Sequence, residues 1–340
     1  MGRCPMCSSP RRDRTLALVD QLHGVPGRFT YPRCTVCGTV YQDPRVVDED
    51  LAACYPEDYY THQLPTGAAI AQPAAARPLS GFRDTVRRAV VAAVRGRREP
   101  GPAGALGWVA SMSAFVRRRA FYDLLPDELL PRVPPPARAL DAGCGAGQLL
   151  TALRGAGWNA EGLEWDKTAA EGAAKRSGCQ VYVGDIRTVA LPTDAYQLVT
   201  LSHVLEHIDD PPAVLRRLRD LLAPGGIAVV YWPNPGALGA RWLGELWLHW
   251  DAPRHLVLPS LAALDTAGRK VGLLPRRIFT TARLAAAFLS YSRDLMEGRI
   301  PDFDRPKPSA SERALAALEG AMVRLGIQVG EEGVSILARG

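Results

Sequence analysis

The sequence is short of long apolar runs, of lysine and of patterned aromatic residues. No apolar stretch approaches the ~18 residues that cross a bilayer, so no transmembrane helix is expected. The opening MGRCPMCSSP lacks the apolar core of a secretory signal, and the expected location is the cytoplasm. Lysine is nearly absent; the basic residues are almost all arginine, beside abundant Ala, Pro and Gly, which reads as coding bias more than chemistry. Aromatic residues make up 7% and do not interleave with basic ones, which argues against a stacking platform for single-stranded nucleic acid. The one conspicuous glycine-rich turn has no Lys-Ser/Thr pair, which excludes a phosphate-binding loop of the GxxxxGK[ST] type. A net charge of +6 tolerates an anionic substrate or a membrane surface without demanding a nucleic acid.

What is present suffices for a substantial fold. The chain has 340 residues, of which 47% are apolar and 22% charged, enough for one large domain and a small one. Its seven cysteines are an odd count, and four of them form two CxxC pairs, Cys4 with Cys7 and Cys34 with Cys37. In a reducing compartment that pattern points to metal rather than disulfides. Four thiolates satisfy a tetrahedral Zn2+, and with every position filled the zinc is expected to be structural; a rubredoxin-type iron is the alternative. Gly38 follows the second pair, as a tight ribbon turn favours. Cys54, Cys144 and Cys179 fall outside the set.

Composition divides the chain. Residues 1–63 hold the cysteine pairs and an aromatic segment ending in CYPEDYYTHQ, and 64–81 are a Pro/Ala/Gly-rich linker. Residues 82–130 read as a helical lead-in rich in arginine, and 131–340 as the main domain, with a helical insertion over about 283–328. From residue 138, strands alternate with helices of about ten residues. That alternation predicts an α/β fold, a doubly wound, mostly parallel sheet with ligands beyond the strands' carboxyl ends.

The central motif is ALDAGCGAGQLL, residues 139–150. A strand ends at Asp141, and Gly143, Gly145 and Gly147 follow. The third glycine comes one position too early for GxGxxG. A carboxylate at Asp141 would also repel a pyrophosphate by several kcal/mol at ~4 Å and an effective dielectric near 20. It suits a cationic, phosphate-free ligand instead.

DAGCGAG resembles the first motif of class I S-adenosylmethionine-dependent methyltransferases, and the resemblance extends over about 138–340. It implies a seven-stranded sheet of the class I type, S-adenosylmethionine as co-substrate, and a cofactor loop of Asp141, Gly143, Cys144, Gly145 and Gly147. Glu164 in GLEWD, followed by Trp165, matches the acid used on the ribose hydroxyls. Asp185 in VGDI matches the acid near the adenine amino group, with Ile186 on the ring. LLAPGGIAVVYWPNP looks like the later motif leading into the fifth strand. Gln197 departs from the usual Asp; that position supports the strand rather than the cofactor.

HVLEH, residues 203–207, resembles the corresponding segment of ubiquinone-pathway-type O-methyltransferases and deoxysugar C-methyltransferases. The resemblance implies His207 as catalytic base, assisted by Glu206, with His203 nearer the cofactor. HxxEH is also an inverted zinc-protease string, but DDPP ends any helix too soon for it. ELWLHWDAPRHLVLPS, residues 245–260, resembles segments near the acceptor pocket of such enzymes; there Trp247 and Trp250 could wall the pocket and Arg254 grip an anionic acceptor, with core packing the plainer reading. A zinc ribbon before such a domain is similar both to sugar C-methyltransferases of antibiotic and cell-surface glycan pathways and to an rRNA guanine methyltransferase group. The segment through Tyr55, Tyr59 and Tyr60 looks closer to the former, with these tyrosines either over the acceptor pocket or simply packed. The expected function is methyl transfer to the oxygen or carbon of a small-molecule or glycan-precursor acceptor. Alternatives are an rRNA or tRNA methyltransferase that holds RNA through the ribbon and Arg-rich helices, and a non-catalytic binding protein of this fold.

Overall fold

The computed structural model describes residues 2–55, 86, 89–90, 92–93, 100–112, 137–155, 157–303 and 305–340. The linker 64–81, most of the lead-in 82–130, and Tyr59 and Tyr60 lie outside the described residues. Among the described residues no helix is long and apolar enough to cross a membrane.

Two sheets organise the chain. The N-terminal segment supplies β1 (Arg12–Leu18), β2 (Phe29–Cys34) and β3 (Val40–Tyr41). The main domain contributes β4 (Arg138–Ala142), β5 (Asn159–Glu164), β6 (Gln180–Val183), β7 (Tyr196–Ser202) and β8 (Leu222–Pro233). After these come β9 (Val257–Leu258), β10 (Leu273–Thr281) and β11 (Glu332–Arg339). Seven strands run in the order β10-β11-β8-β7-β4-β5-β6. The pairs from β6 to β8 are parallel, while β11 lies antiparallel to both β8 and β10. Strand order reverses at β4: the chain leaves toward β5 and β6, then returns to place β7 on the other side. Crevices at such reversals open at the carboxyl ends of the strands and receive ligands.

Both faces of this sheet are covered, which explains its near-continuous apolar strands. Alternate residues divide between two cores. Leu140, Ala142, Val199, Leu201, Ala228 and Val230 pack with helices Pro211–Leu221 and Leu261–Lys270. Ala139, Leu198, Ile227 and Val229 pack with helices Gln148–Gly155 and Lys167–Ser177. Caps fix where helices begin. Asp166, Asp210 and Ser260 each accept a backbone N–H three residues on, which satisfies an otherwise orphaned donor. Between β10 and β11 lie helices Ala285–Met296 and Ala310–Arg324, the second opened by a reciprocal Ser309–Glu312 capping box.

The smaller sheet has the order β1-β2-β3-β9. Its fourth strand comes from the main domain: Val40 pairs with Leu258 and Tyr41 with Val257. Segment 245–260, whose likeness was to segments near an acceptor pocket, instead carries a strand that completes the N-terminal sheet. Trp247 and Trp250 are buried with Leu16, Leu18, Tyr31 and Val40 and fill the space between the two parts.

Candidate active site at the strand-order reversal

The glycine turn leaves β4 at the reversal and is held from below. The Gly143 and Cys144 N–H groups both donate to the Leu163 carbonyl, at 2.7 and 3.1 Å. Gly143 has φ +76°, and a Cβ there would meet Val204 Cγ2 at 2.2 Å. Gly147, at φ +77°, lies 3.0 Å from Ala173 by the same measure. Glycine is thus required by both dihedral and close approach. Cys144 is buried and fills space beneath the turn, and burial pushes its thiol pKa up.

Two acids serve this turn. Glu164 receives N–H groups from Gly145 at 2.7 Å, Trp165 at 2.9 Å and Asp166 at 3.2 Å. These bonds fix its carboxylate against the loop. Asp141 is 4% exposed and accepts the Thr200 hydroxyl at 2.7 Å. Burial pushes its pKa up to about 7; the Thr200 bond opposes the rise and the Glu164 charge adds to it. Thr200, one strand over, carried no signal in the sequence. Trp165 is 69% exposed beside Glu164, an unusual position for so large an apolar ring.

The remaining cofactor candidates are placed less openly. Asp185 forms an ion pair with Arg187, which also bridges to Asp209 at 2.7 Å. Burial raises the Asp185 pKa, but the Arg187 bonds and charge win and leave it below the usual range. Ile186 is buried in the main core at 4% exposure. Gln197 accepts the Arg138 N–H at 2.8 Å, a contact that supports β4 and β7.

HVLEH turns sharply after β7, with His203 at φ +56° and Leu205–His207 in a 3-10 turn. The His203 ring bridges two carboxylates, Nδ1 to Glu206 Oε1 at 3.1 Å and Nε2 to Glu332 Oε1 at 2.8 Å. Burial lowers its pKa, but the Glu206 and Glu332 bonds outweigh that and raise it to about 9. Both ring nitrogens are therefore engaged within the protein, and the ring is an imidazolium at neutral pH. Arg283 donates to both oxygens of Glu332, to Oε2 at 2.7 Å and to Oε1 at 2.9 Å. Glu332 and Arg283 join the site from the last strands, contacts that local sequence does not encode.

Glu206 is fully buried, and its hydrogen bond goes to His203 rather than to His207, contrary to the expected base–acid pair. Burial raises its pKa, but His203 prevails and brings it to about 2. His207 is oriented by other groups: its Nδ1 lies 3.2 Å from the Arg254 carbonyl and 2.9 Å from the Tyr55 hydroxyl. Burial first, then the charge of His255, lowers its pKa to about 4, so the ring is neutral. Tyr55 thus brings the N-terminal segment to the site.

Arg254 does not face an acceptor. It is fully buried and donates two bonds to Asp20 at 2.8 Å each, with further bonds to Asp251 and the Cys54 carbonyl. Burial lowers its pKa, but Asp251 and Asp20 overcompensate. The guanidinium is a strut between the N-terminal segment and the main domain. Trp247 and Trp250 likewise pack between those parts, and the small cavity they line is shared with Leu18, Leu22 and Leu295.

The cysteine pairs converge. Cys4 Sγ lies 3.6 Å from Cys37 Sγ, and Cys7 Sγ 3.5 Å from Cys34 Sγ. All four sulfurs lie within 4.8 Å of one another. Thiolates ~2.3 Å from a tetrahedral Zn2+ are ~3.8 Å apart, so the donor set fits that ion.

The sheet order and the acid-bearing glycine turn at its reversal are the features that the resemblance to class I S-adenosylmethionine-dependent methyltransferases implies. Comparison with known proteins agrees: residues 114–275 match the family model Methyltransf_23, described as a methyltransferase domain. A malonyl-[acyl-carrier protein] O-methyltransferase from Serratia marcescens is 32% identical over 123 residues, 36% of this chain and 48% of that protein. A ubiquinone biosynthesis O-methyltransferase from Bordetella avium is 34% identical over 154 residues, 41% of this chain and 62% of that protein. The chain spans about half the length of the curated relatives it matches. Among solved structures, an S-adenosylmethionine-dependent methyltransferase from Mesorhizobium loti aligns with TM-score 0.43 and 15% identity, over 65% of this chain and 96% of that one.

Proposed function

We propose that this protein transfers the methyl group of S-adenosylmethionine to a small-molecule or glycan-precursor acceptor. One observation carries the reading. Asp141 and Glu164 converge on the glycine turn at the strand-order reversal, and among the described residues neither acid has an ion-pair partner. Two such carboxylates favour a donor that is cationic and free of phosphate. The donor would lie over the turn, with Glu164 on its ribose hydroxyls, Asp185 toward its base, and Trp165 and Ile186 as apolar neighbours. His203, tied to Glu206 and Glu332, would shape the wall beside it.

His207 is the base in this reading. When Nδ1–H donates to the Arg254 carbonyl, Nε2 keeps its lone pair and faces the acceptor side. The acceptor's proton passes to Nε2, its electron pair forms the bond to the methyl carbon, and the carbon–sulfur pair returns to sulfur. A positioned base of this kind contributes ~10²–10⁴-fold. The O-methyltransferase names of the curated relatives favour an oxygen acceptor. Cys4, Cys7, Cys34 and Cys37 would hold a structural Zn2+ that keeps the N-terminal sheet, and through it Tyr55, in place.

Calorimetry with S-adenosylhomocysteine tests the donor site. Binding by the wild type that is weakened in Asp141→Ala and Glu164→Ala is expected. No binding, or binding indifferent to both changes, refutes the reading. An acceptor screen with labelled donor then tests His207→Ala, whose turnover should fall while donor affinity holds.

A further inference from the structure

Beside the base stands a second nitrogen ligand in the same condition. His255 Nδ1–H donates to the His249 carbonyl at 2.8 Å, and its Nε2 points away from that bond. That nitrogen faces Glu206 Oε1 at 4.0 Å and Asp251 Oδ2 at 3.9 Å, too far for a hydrogen bond. His207 is held at Nδ1 too, 3.2 Å from the Arg254 carbonyl and 2.9 Å from the Tyr55 hydroxyl, with its ring 4.7 Å from that of His255, edge to face. Glu206 is fully buried, and its Oε2 has no hydrogen-bond partner. One ligand atom from each of Glu206, His207 and His255 lies within 4.8 Å of the others.

Imidazoles whose Nδ1–H is held by a carbonyl, presenting Nε2, are the usual form of metal-binding histidines. A carboxylate oxygen buried without a hydrogen bond, as Glu206 Oε2 is, is costly unless a cation compensates it. Ligands ~2.0–2.2 Å from one ion at tetrahedral to octahedral angles are ~3–4 Å apart, the scale of this gap. Nearby, the four carboxylates of Asp20, Asp251, Glu206 and Glu332 exceed the three cations, Arg254, Arg283 and the His203 imidazolium.

We propose that Glu206, His207 and His255 hold a divalent transition-metal ion on the acceptor side of the site. Two imidazoles and one carboxylate leave coordination positions open, which suits a Lewis acid that accepts a substrate oxygen. The proposal deepens the methyltransferase reading and rests on it only for that role. With the ion bound, His207 is a ligand. The acceptor hydroxyl, bound through oxygen, then loses its proton to water, its electron pair forms the bond to the methyl carbon, and the carbon–sulfur pair returns to the donor's sulfur.

The test uses the full chain carrying one equivalent of Zn2+ on its cysteines. Titration with Co2+ should show one further equivalent, with visible d–d bands and no thiolate charge-transfer band. His255→Ala and Glu206→Gln should each weaken that equivalent by about a hundredfold or more. Pulsed electron paramagnetic resonance of the wild type with Mn2+ should show coupling to two imidazole nitrogens, a readout that stands if the variants unfold. Saturation at one metal per chain overturns the proposal. So does a second equivalent without imidazole coupling, or one unchanged in folded variants. Intact S-adenosylhomocysteine binding beside a missing second metal refutes this proposal alone; the converse refutes the donor reading alone.

Discussion

Replacing Asp141 with Asn should stabilise the ligand-free protein at neutral pH while it weakens donor binding. An ordinary Asp ionises near 3.8, but burial holds Asp141 protonated up to about 7. Between those values the unfolded chain releases a proton that the native state retains. Stability contributed by this group therefore falls as pH rises from about 4 to 7. Each pH step of one costs about 1.4 kcal/mol, so the full penalty approaches about 4 kcal/mol above pH 7. Asn removes the ionisation and keeps an oxygen to accept the Thr200 hydroxyl. Its buried amide N–H groups gain no assured acceptor, which returns about 1–3 kcal/mol. The net expectation is a gain of about 1–3 kcal/mol at pH 8, with no gain or a small loss at pH 4. Urea unfolding of both proteins without ligand, at the two pH values, measures this directly. Equal stability at pH 8, or the same difference at pH 4 and pH 8, refutes the idea that an ionised acid is held at a cost for the donor's charge.

Arg254→Met should destabilise the fold by about 3–5 kcal/mol, because it strands the Asp20 and Asp251 carboxylates in the interior; a stable variant with only a raised KM would restore the acceptor-gripping role. Gly143→Ala should abolish S-adenosylhomocysteine binding in calorimetry, since its Cβ would overlap Val204 at an unfavourable dihedral. The raised pKa of His203 makes its contribution complete below about pH 6.5 and lost as pH rises through about 9; the stability difference between wild type and His203→Gln should shrink from pH 6 to pH 10, and a constant difference would remove the imidazolium from the account. Chelation of the cysteine metal should release the N-terminal sheet, seen as rapid proteolysis between residues 2 and 55.

The sheet was legible because burial on both faces leaves its mark in local composition. The strand read as ending at Asp141 and the strand–helix alternation after it became parallel strands, and the three glycines became a turn with positive dihedrals. Cysteine spacing located a cluster for the same reason, since ligand chemistry limits separation along the chain. Electrostatic partners were not legible. Glu206 looks like a partner for adjacent His207, yet the backbone turn at His203 sends it to His203 instead. Glu332 reaches His203 from more than 75 residues away, and Arg283 in turn holds Glu332. Arg254, Trp247 and Trp250 sit in a segment whose composition suits a pocket wall, but Arg254 pairs with Asp20 and the tryptophans pack with Leu16, Leu18 and Tyr31 of the N-terminal segment. Side-chain chemistry alone does not say which surface a residue meets.

Because Val257 and Leu258 supply the closing edge of a sheet begun by residues 12–41, the first part of the chain is not a detachable cassette. Grafting it onto another catalytic core would carry across the cysteines but not the strand that seals their sheet. Descent by simple swapping of front ends is accordingly constrained: any replacement must bring both halves of the seam together.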